Sequence, residues 1–282
     1  MKLSDVKKLH QKKYRTQFGY YLVEGEHLIL ELLKSAPKNT LTVYVTSEYE
    51  AWLYSAKADY APLLSDDVIQ VQTVTSVQMQ QISDTKSPQG IIARVPLPLV
   101  LNSELNSELN SVTGSLSEEA PRQNANADEQ MQKSVSSANS KRCIYLYEVQ
   151  DPGNLGTILR TLAWFGQFKL LLSPNSVDPF NSKVVRSSMG AIFHADMELN
   201  VPLESLTSRF SQFAYLDMRG QEVKSESFAH FECYLFGNEA RGVPTEDVKR
   251  LNATAFTIPG SGKIDSLNLA SAVNICAYEL SC

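Results

Sequence analysis

The segment LNSELNSELNSVTGSLSEEAPRQNANADEQMQKSVSSANSK, residues 101–141, decides first what this chain can fold into. It repeats Leu-Asn-Ser-Glu, turns to Ser, Asn, Gln and Ala, and holds no aromatic residue. So little apolar surface cannot offset the entropy lost on ordering. Residues 99–141 are therefore expected to be a flexible linker, with room for a short nascent helix at its start. It divides the 282 residues into parts 1–98 and 142–282, each of ordinary domain size.

Both parts alternate between two hydrophobic periods. In the first, YYLVEG, LTVYVT, DVIQVQTV and GIIARVP predict strands, while EHLILELLKS, Ala51–Ala58 and Ser76–Ile82 predict helices. In the second, CIYLYEV, KLLLS, FAYLDM, CYLFG and AFTIP are strand-like. LGTILRTLAWFG, Ser182–Gly190 and SLNLASAVNICAYEL are helical, and Pro179 and Asn181 mark the start of the middle one. The prediction is a small α/β domain followed by a parallel α/β sheet with flanking helices.

The charge balance narrows the partners. The net charge of −5 argues against a uniformly basic nucleic-acid binder. It is unevenly spread: residues 1–98 carry 11 basic and 10 acidic residues, and residues 142–282 carry 12 and 15. Six of the basic ones lie between Lys2 and Arg15 with Asp5 as the single acid. The run Lys7, Lys8, Lys12, Lys13 and Arg15 is either a solvated helix face or a patch that tracks phosphates. No apolar stretch approaches the roughly 20 residues of a membrane span. The basic start has no signal-like apolar region after it, so a cytoplasmic protein without a membrane role is expected. Cys143, Cys233, Cys276 and Cys282 form no C-x-x-C pair, and the spacing suggests plain thiols and no metal site.

Chemistry is expected where strands of such a sheet end. Three glycine-bearing strand-to-helix junctions stand out: DPGNLGTILR, LFGNEARGVP and IPGSGKIDSLN. The first lacks the Gly-Lys-Ser/Thr of a Walker loop, and none is a G-x-G-x-x-G dinucleotide fingerprint. Each alone could be a tight turn, since glycine allows positive φ and asparagine caps helices. Together they offer complementary groups. Arg160 carries a fork of donors suited to phosphate or carboxylate, and Glu239 is an acceptor in a turn. Ser266 and Asn268 precede the last helix, where backbone N–H groups are free. A structural Glu–Arg pair and an N-cap would use the same residues.

DPGNLGTILRT, LFGNEARGVP and IPGSGKIDSLNLASA resemble, in order, the three motifs of the SpoU/TrmH family of RNA ribose methyltransferases, within the SPOUT superfamily. NSKVVRSSMGAIFH is similar to the stretch between the first two. KKLHQKKYRTQFGYYLVEGEHLI and SDTKSPQGIIARV resemble the family's N-terminal substrate-binding domain. The resemblance implies a substrate-binding domain over 1–98 and an S-adenosylmethionine-dependent methyltransferase domain over 142–282. In the latter the C-terminal segment would be threaded as a trefoil knot, a rare exception to unknotted topology. It further implies a homodimer through the C-terminal domain and structured RNA, tRNA or ribosomal RNA, as substrate.

The resemblance also assigns roles. Asn154 and Arg160 would face the acceptor ribose and its phosphate, with Arg160 as a clamp, since a guanidinium stays protonated and is a poor base. Glu239 would orient Asn154 or Arg160, and Ser266 and Asn268 would border the reaction centre. Gly237 would admit the cofactor, Ile258 and Leu267 would enclose its adenine, and Leu216 would line its methionine side. Lys8, Lys12, Lys13 and Arg15 would hold RNA. Arg186 could touch phosphate or sit on a solvated helix face. Two rivals use the same segments: an RNA-binding or ribosome-assembly protein with a degenerate site, and a nucleotide-dependent oxidoreductase. The latter lacks its fingerprint and its acidic ribose ligand.

Overall fold

The computed structural model describes residues 1–63, 68–98, 141–264 and 266–282. The linker expected over 99–141 falls, but for Lys141, outside the described residues.

The chain opens with two short helices, α1 (Leu3–Lys8) and α2 (Lys12–Phe18), the second closed by Gly19 in the left-handed conformation. Then come β1 (Tyr20–Glu24), α3 (Glu26–Lys34), β2 (Leu41–Val45), α4 (Ser47–Tyr60), β3 (Ile69–Thr73), α5 (Ser76–Ile82) and β4 (Ile91–Pro96). The four strands form one mixed sheet in the order β1-β4-β2-β3, in which only β2 and β3 run parallel. Leu28, Ile29, Leu32 and Leu33 bring one stripe of α3 to the core, as helical spacing requires. The opposite sheet face packs Leu22, Tyr44 and Ile92 against Val6 and Leu9 and against Met79 and Ile82 of α5. A capping box starts α5: Gln78 N donates to Thr75 Oγ1, and Thr75 N donates to Gln78 Oε1.

The second part holds β5 (Arg142–Leu146), α6 (Pro152–Phe165), β6 (Phe168–Leu172), α7 (Ser182–Ser187), β7 (Met197–Glu198), β8 (Phe213–Glu222), β9 (Cys233–Phe236), α8 (Thr245–Arg250), β10 (Thr254–Thr257) and α9 (Leu269–Glu279). Its six strands pair all in parallel, in the order β10-β8-β9-β5-β6-β7. Side chains alternate between two cores: Ile144, Leu146 and Phe236 enter one cluster, Tyr145, Leu171 and Leu235 the other. The sequence reading omitted α8, a single polar turn whose signals are Pro244 at its start and Lys249 and Arg250 at its end. The strand expected at FAYLDM is longer and broken. Its partner β10 pairs with Ala214 and Tyr215 and then jumps to Gln221 and Glu222, so residues 216–220 leave the ladder.

The basic N-terminal run does not behave as one surface. Arg15 is 3% exposed. Its Nη1 donates to the carbonyls of Leu9 and His10, both at 2.9 Å. Its Nε and Nη2 donate to Asp178 Oδ2 at 3.0 and 2.5 Å. The expectation that Arg15 meets RNA phosphate is thus corrected: its guanidinium is enclosed and makes four hydrogen bonds in the seam between the two parts. Beside it, the rings of Tyr21 and Phe180 lie 4.9 Å apart, and one hydrophobic cluster runs from Val23 and Leu33 into Ile144 and Val184. Ser182 Oγ donates to Asp84 Oδ2 at 2.7 Å, which holds the Asp84 carboxyl below its usual range.

A buried ion pair that loses one member leaves an uncompensated charge, at a cost of about 3–5 kcal/mol. Asp178→Ala should therefore lower the unfolding free energy measured in urea by that amount, and the midpoint with it. Arg15→Met with Asp178→Leu should recover much of it, because the orphan charge is gone. An unchanged midpoint for Asp178→Ala would show that the seam does not depend on this pair.

Candidate functional site

Strand order reverses beside β5: the chain leaves it towards β6 on one side and later fills β9 on the other. In an open parallel sheet this reversal opens a crevice at the carboxyl ends of the strands. The first two motif loops follow β5 and β9 there, and the third runs from β10 to α9.

The first loop enters α6 through Asp151, whose Oδ1 accepts from Asn154 N at 2.7 Å, with Pro152 at the first helical position. Gly156 is a packing glycine. A Cβ on it would lie 1.9 Å from Ser187 Oγ, so only glycine lets α6 and α7 approach so closely. The second loop is a tight turn in which Asn238 and Gly242 exchange backbone hydrogen bonds. Asn238 Oδ1 accepts from the N–H groups of Ala240 and Arg241, and its Nδ2 reaches Glu148 O at 2.7 Å. In the third loop Asn268 caps α9, accepting from Ala270 N and Ser271 N.

These loops meet through side chains. Asn268 Nδ2 donates to Asn154 Oδ1 at 2.8 Å, and Asn154 Nδ2 donates to Glu239 Oε1 at 3.1 Å. Glu239 also accepts from Gln150 N and Asp151 N, both at 3.3 Å. The network fixes the orientation of both amides. Each keeps one N–H free for a ligand, since the second hydrogen on Nδ2 has no partner here.

The predicted residues fall into three groups. Asn154, Glu239 and Asn268 are brought together. Arg160 is not joined to them, so neither a Glu239–Arg160 pair nor orientation of Arg160 by Glu239 is seen. Six residues along a helix turn Arg160 away from Asn154 by roughly 240° and advance it by about 9 Å. It lies on the exposed stripe Gly153, Thr157, Arg160 and Trp164, with no ion pair or hydrogen bond among the described residues. Ser266 is exposed and unbonded among them as well. Gly237 stands at the neck of the second turn, half-buried Leu216 and Ile258 follow at neighbouring strand ends, and Leu267 is 47% exposed. Among the RNA candidates, Lys12 and Lys13 are exposed and Lys8 pairs with Asp5 at 2.9 Å. Arg186 is half-buried at the seam, where its Nη2 lies 3.6 Å from Asp84.

Sequence reasoning missed the supports. Glu148 adopts a left-handed φ of 48° and pairs with Arg241, tying the first loop to the second. Ser173 Oγ accepts from Glu148 N at 2.7 Å. Asp151 before a proline was a legible cap; Glu148 carried no signal, because its conformation comes from the packed loop. All four cysteines are free, and burial pushes the Cys143 thiol up to about 11 and Cys276 up to about 12, which keeps both protonated.

Gly237 gives a direct test of the turn. A Cβ there would lie 2.1 Å from the carbonyl carbon of Gly242 and 2.3 Å from Val243 N. Gly237→Ala should open the turn and cost about 1–3 kcal/mol, as overpacking does. Gly260→Ala, with nothing within 4 Å of the new Cβ, should be tolerated. Thermal melts of both variants check the contrast, and equal melting temperatures would contradict it.

The geometry agrees with what the chain is similar to. The SpoU rRNA methylase family matches residues 141–278, and the MRM3-like substrate binding domain matches residues 1–93. The 23S rRNA (guanosine(2553)-2'-O)-methyltransferase RlmP of Bacillus subtilis is 28% identical, over 99% of this chain and 95% of its own. The SpoU methyltransferase AviRb of Streptomyces viridochromogenes, solved with AdoMet, superposes with a TM-score of 0.72 at 19% identity, covering 99% of this chain and 96% of its own. The AdoMet-bound rRNA methyltransferase of Sinorhizobium meliloti gives 0.71 at 22% identity, covering 99% and 93%. With a methylase domain of this type behind a matching substrate-binding domain, the chain belongs to the SpoU/TrmH family.

Proposed function

We propose that this chain methylates a ribose 2'-hydroxyl of structured RNA, tRNA or ribosomal RNA, using S-adenosylmethionine, as a homodimer in the cytoplasm. The observation that carries the proposal is the chain Asn268–Asn154–Glu239, which joins all three motif loops at the strand ends. An intact network of this kind disfavours a degenerate site. The 2'-O specificity follows the name of the Bacillus subtilis relative.

The residues present fit the cofactor. The backbone from Ile258 to Ile264 makes no hydrogen bond among the described residues, which leaves donors and acceptors for an adenine edge. Leu216, Ile258 and Leu267 supply apolar walls, and Ile264 is also exposed there. Gly237 allows close backbone approach. S-adenosylmethionine supplies an electrophilic methyl on a sulfonium; as the new O–CH3 bond forms, the S–CH3 bond breaks and the sulfur becomes a neutral thioether.

The chain's own task is to place the 2'-oxygen in line and to stabilise it while its proton leaves for water or a phosphate. The spare N–H groups of Asn154 and Asn268 are preorganised donors for that oxygen. Glu239 acts through Asn154, holding its amide in orientation. Arg160 presents an uncompensated planar fork, suited to an RNA phosphate or the developing oxyanion. The trefoil threading implied by the resemblance would account for three separate loops meeting at one point.

The dimer is proposed on the same stripe. Trp164 is 85% exposed one helical turn beyond Arg160, and Tyr278 of α9, with its ring 6.4 Å from that of Phe165, is 56% exposed. A second copy covering this apolar face would border Arg160 and screen it from bulk water.

Arg160→Ala should lower methyl transfer by about 100-fold or more, the usual effect of losing one preorganised charge contact. Calorimetry should find its S-adenosylmethionine affinity unchanged. Arg160→Lys should be nearly as poor. Parental turnover in Arg160→Ala, scored by mapping 2'-O-methylation on RNA from a deletion strain, would refute the assignment. Trp164→Glu should shift sedimentation from dimer to monomer; a sedimentation profile identical to that of the parent would remove this face from the interface.

A further inference from the structure

A cleft of about 550 Å3 runs along the seam, away from the exposed stripe of α6. Lys12, Phe18, Tyr20 and Asn39 line one side, and Ser173 and Ser176 the other. The second wall is fastened to the first motif loop. Val177 N donates to Val149 O at 2.8 Å, and Gln150 Nε2 donates to Asn175 O at 2.7 Å. One wall of the cleft is therefore bonded to the loop that positions Asn154.

Phe18 and Tyr20 of its lining belong to a row of rings with cations against them. Tyr14 and Phe18 stack with centroids 5.9 Å apart and planes 21° from parallel. The ammonium groups of Lys8 and Lys13 lie 5.6 and 5.8 Å from the Tyr14 ring. Farther on, the Arg94 guanidinium lies 4.5 Å over Tyr20. All three rings are half-buried, so each still offers surface to a ligand. Lys12, Lys13 and Arg94 have no acidic partner among the described residues. Asp178, the one carboxylate on the cleft among the described residues, is already neutralised by Arg15.

Half-buried rings interleaved with uncompensated cations suit unpaired nucleotides, whose bases can stack while their phosphates meet the lysines. A duplex cannot use the rings, because its bases are already stacked and it is recognised by shape and backbone. The cleft has the size of an ordinary ligand site. We propose that the row Tyr14–Phe18–Tyr20 and the cleft behind it bind a single-stranded stretch of the RNA substrate and lead it to the first motif loop. The proposal rests on the function given above, and it assigns the recognised form of the RNA and its path.

The test uses the full chain and a fluorescent single-stranded oligoribonucleotide, with the same sequence as a duplex for comparison. The parent should prefer the single strand. Tyr14→Leu, Phe18→Leu and Tyr20→Leu keep apolar bulk and remove the ring. Each should weaken single-strand binding by roughly 5- to 150-fold, the range for one lost base stack, with the salt slope unchanged. Tyr20→Phe should bind as the parent does. Lys12→Ser and Lys13→Ser should instead flatten the slope, by roughly 0.7 each. S-adenosylmethionine affinity should stay constant throughout. Should a leucine variant misfold, the parent chain can be photo-crosslinked to a 4-thiouridine oligonucleotide, and the adducts should map to residues 14–20. Adducts elsewhere, a preference for duplex, or unaltered affinity in folded leucine variants would overturn the path. Methyl transfer without these effects would overturn the path alone; ring-dependent binding without methyl transfer would overturn the reaction alone.

Discussion

A parallel sheet covered on both faces has only its strand ends left for polar chemistry, and the C-terminal part of this chain is built around that constraint. Side chains of β5, β6 and β9 alternate into two apolar clusters. Polar groups are gathered where the ladder stops, Asn154 and Asn238 buried, Glu239 and Asn268 exposed. There each bonds to another loop: Asn238 to Glu148 O, Glu239 to two backbone N–H groups, Asn268 to Asn154 Oδ1. The buried members of such a network need partners, and Asn154 and Asn238 have them. The spare donors on Asn154 and Asn268 are thus set by their neighbours before any ligand arrives.

Much of this was legible in the sequence, because it rests on local periodicity. KLLLS and CYLFG could hardly be anything but buried strands, and Asp151-Pro152 announces a helix start. Motif resemblance brought Asn154, Glu239 and Asn268 forward and left Glu239 to orient Asn154 or Arg160; it did not reach the bond from Asn268 to Asn154. What the sequence hid is long-range. Arg15 lies in a run of lysines and reads as one more surface cation, yet its partner is 163 residues away. Partners distant in the sequence likewise concealed the contact of Arg186 with Asp84 and that of Glu148 with Arg241. The divergence of Arg160 from Asn154 is plain helical geometry, and it could have been computed from their spacing.

The seam changes what the two parts can do. A substrate-binding module on a tether would search for RNA on its own, but here it is docked by a buried ion pair, by Tyr21 against Phe180 and by Ser182 on Asp84. Position replaces reach. The surface offered by α2 and β1 then stands at a fixed place relative to the motif loops, and recognition at one end can be registered at the other without any conformational relay.

The hydrophobic cluster that runs through both parts has a consequence for inheritance. Modules that meet only through a linker can be recombined freely, each bringing its own core. Here Val23, Leu33, Ile144 and Val184 belong to one continuous interior. A gene fusion that supplied a foreign N-terminal module would have to match that interior and return an arginine to Asp178. Descent as a joined pair, with changes on one side answered on the other, is the history that such a seam permits.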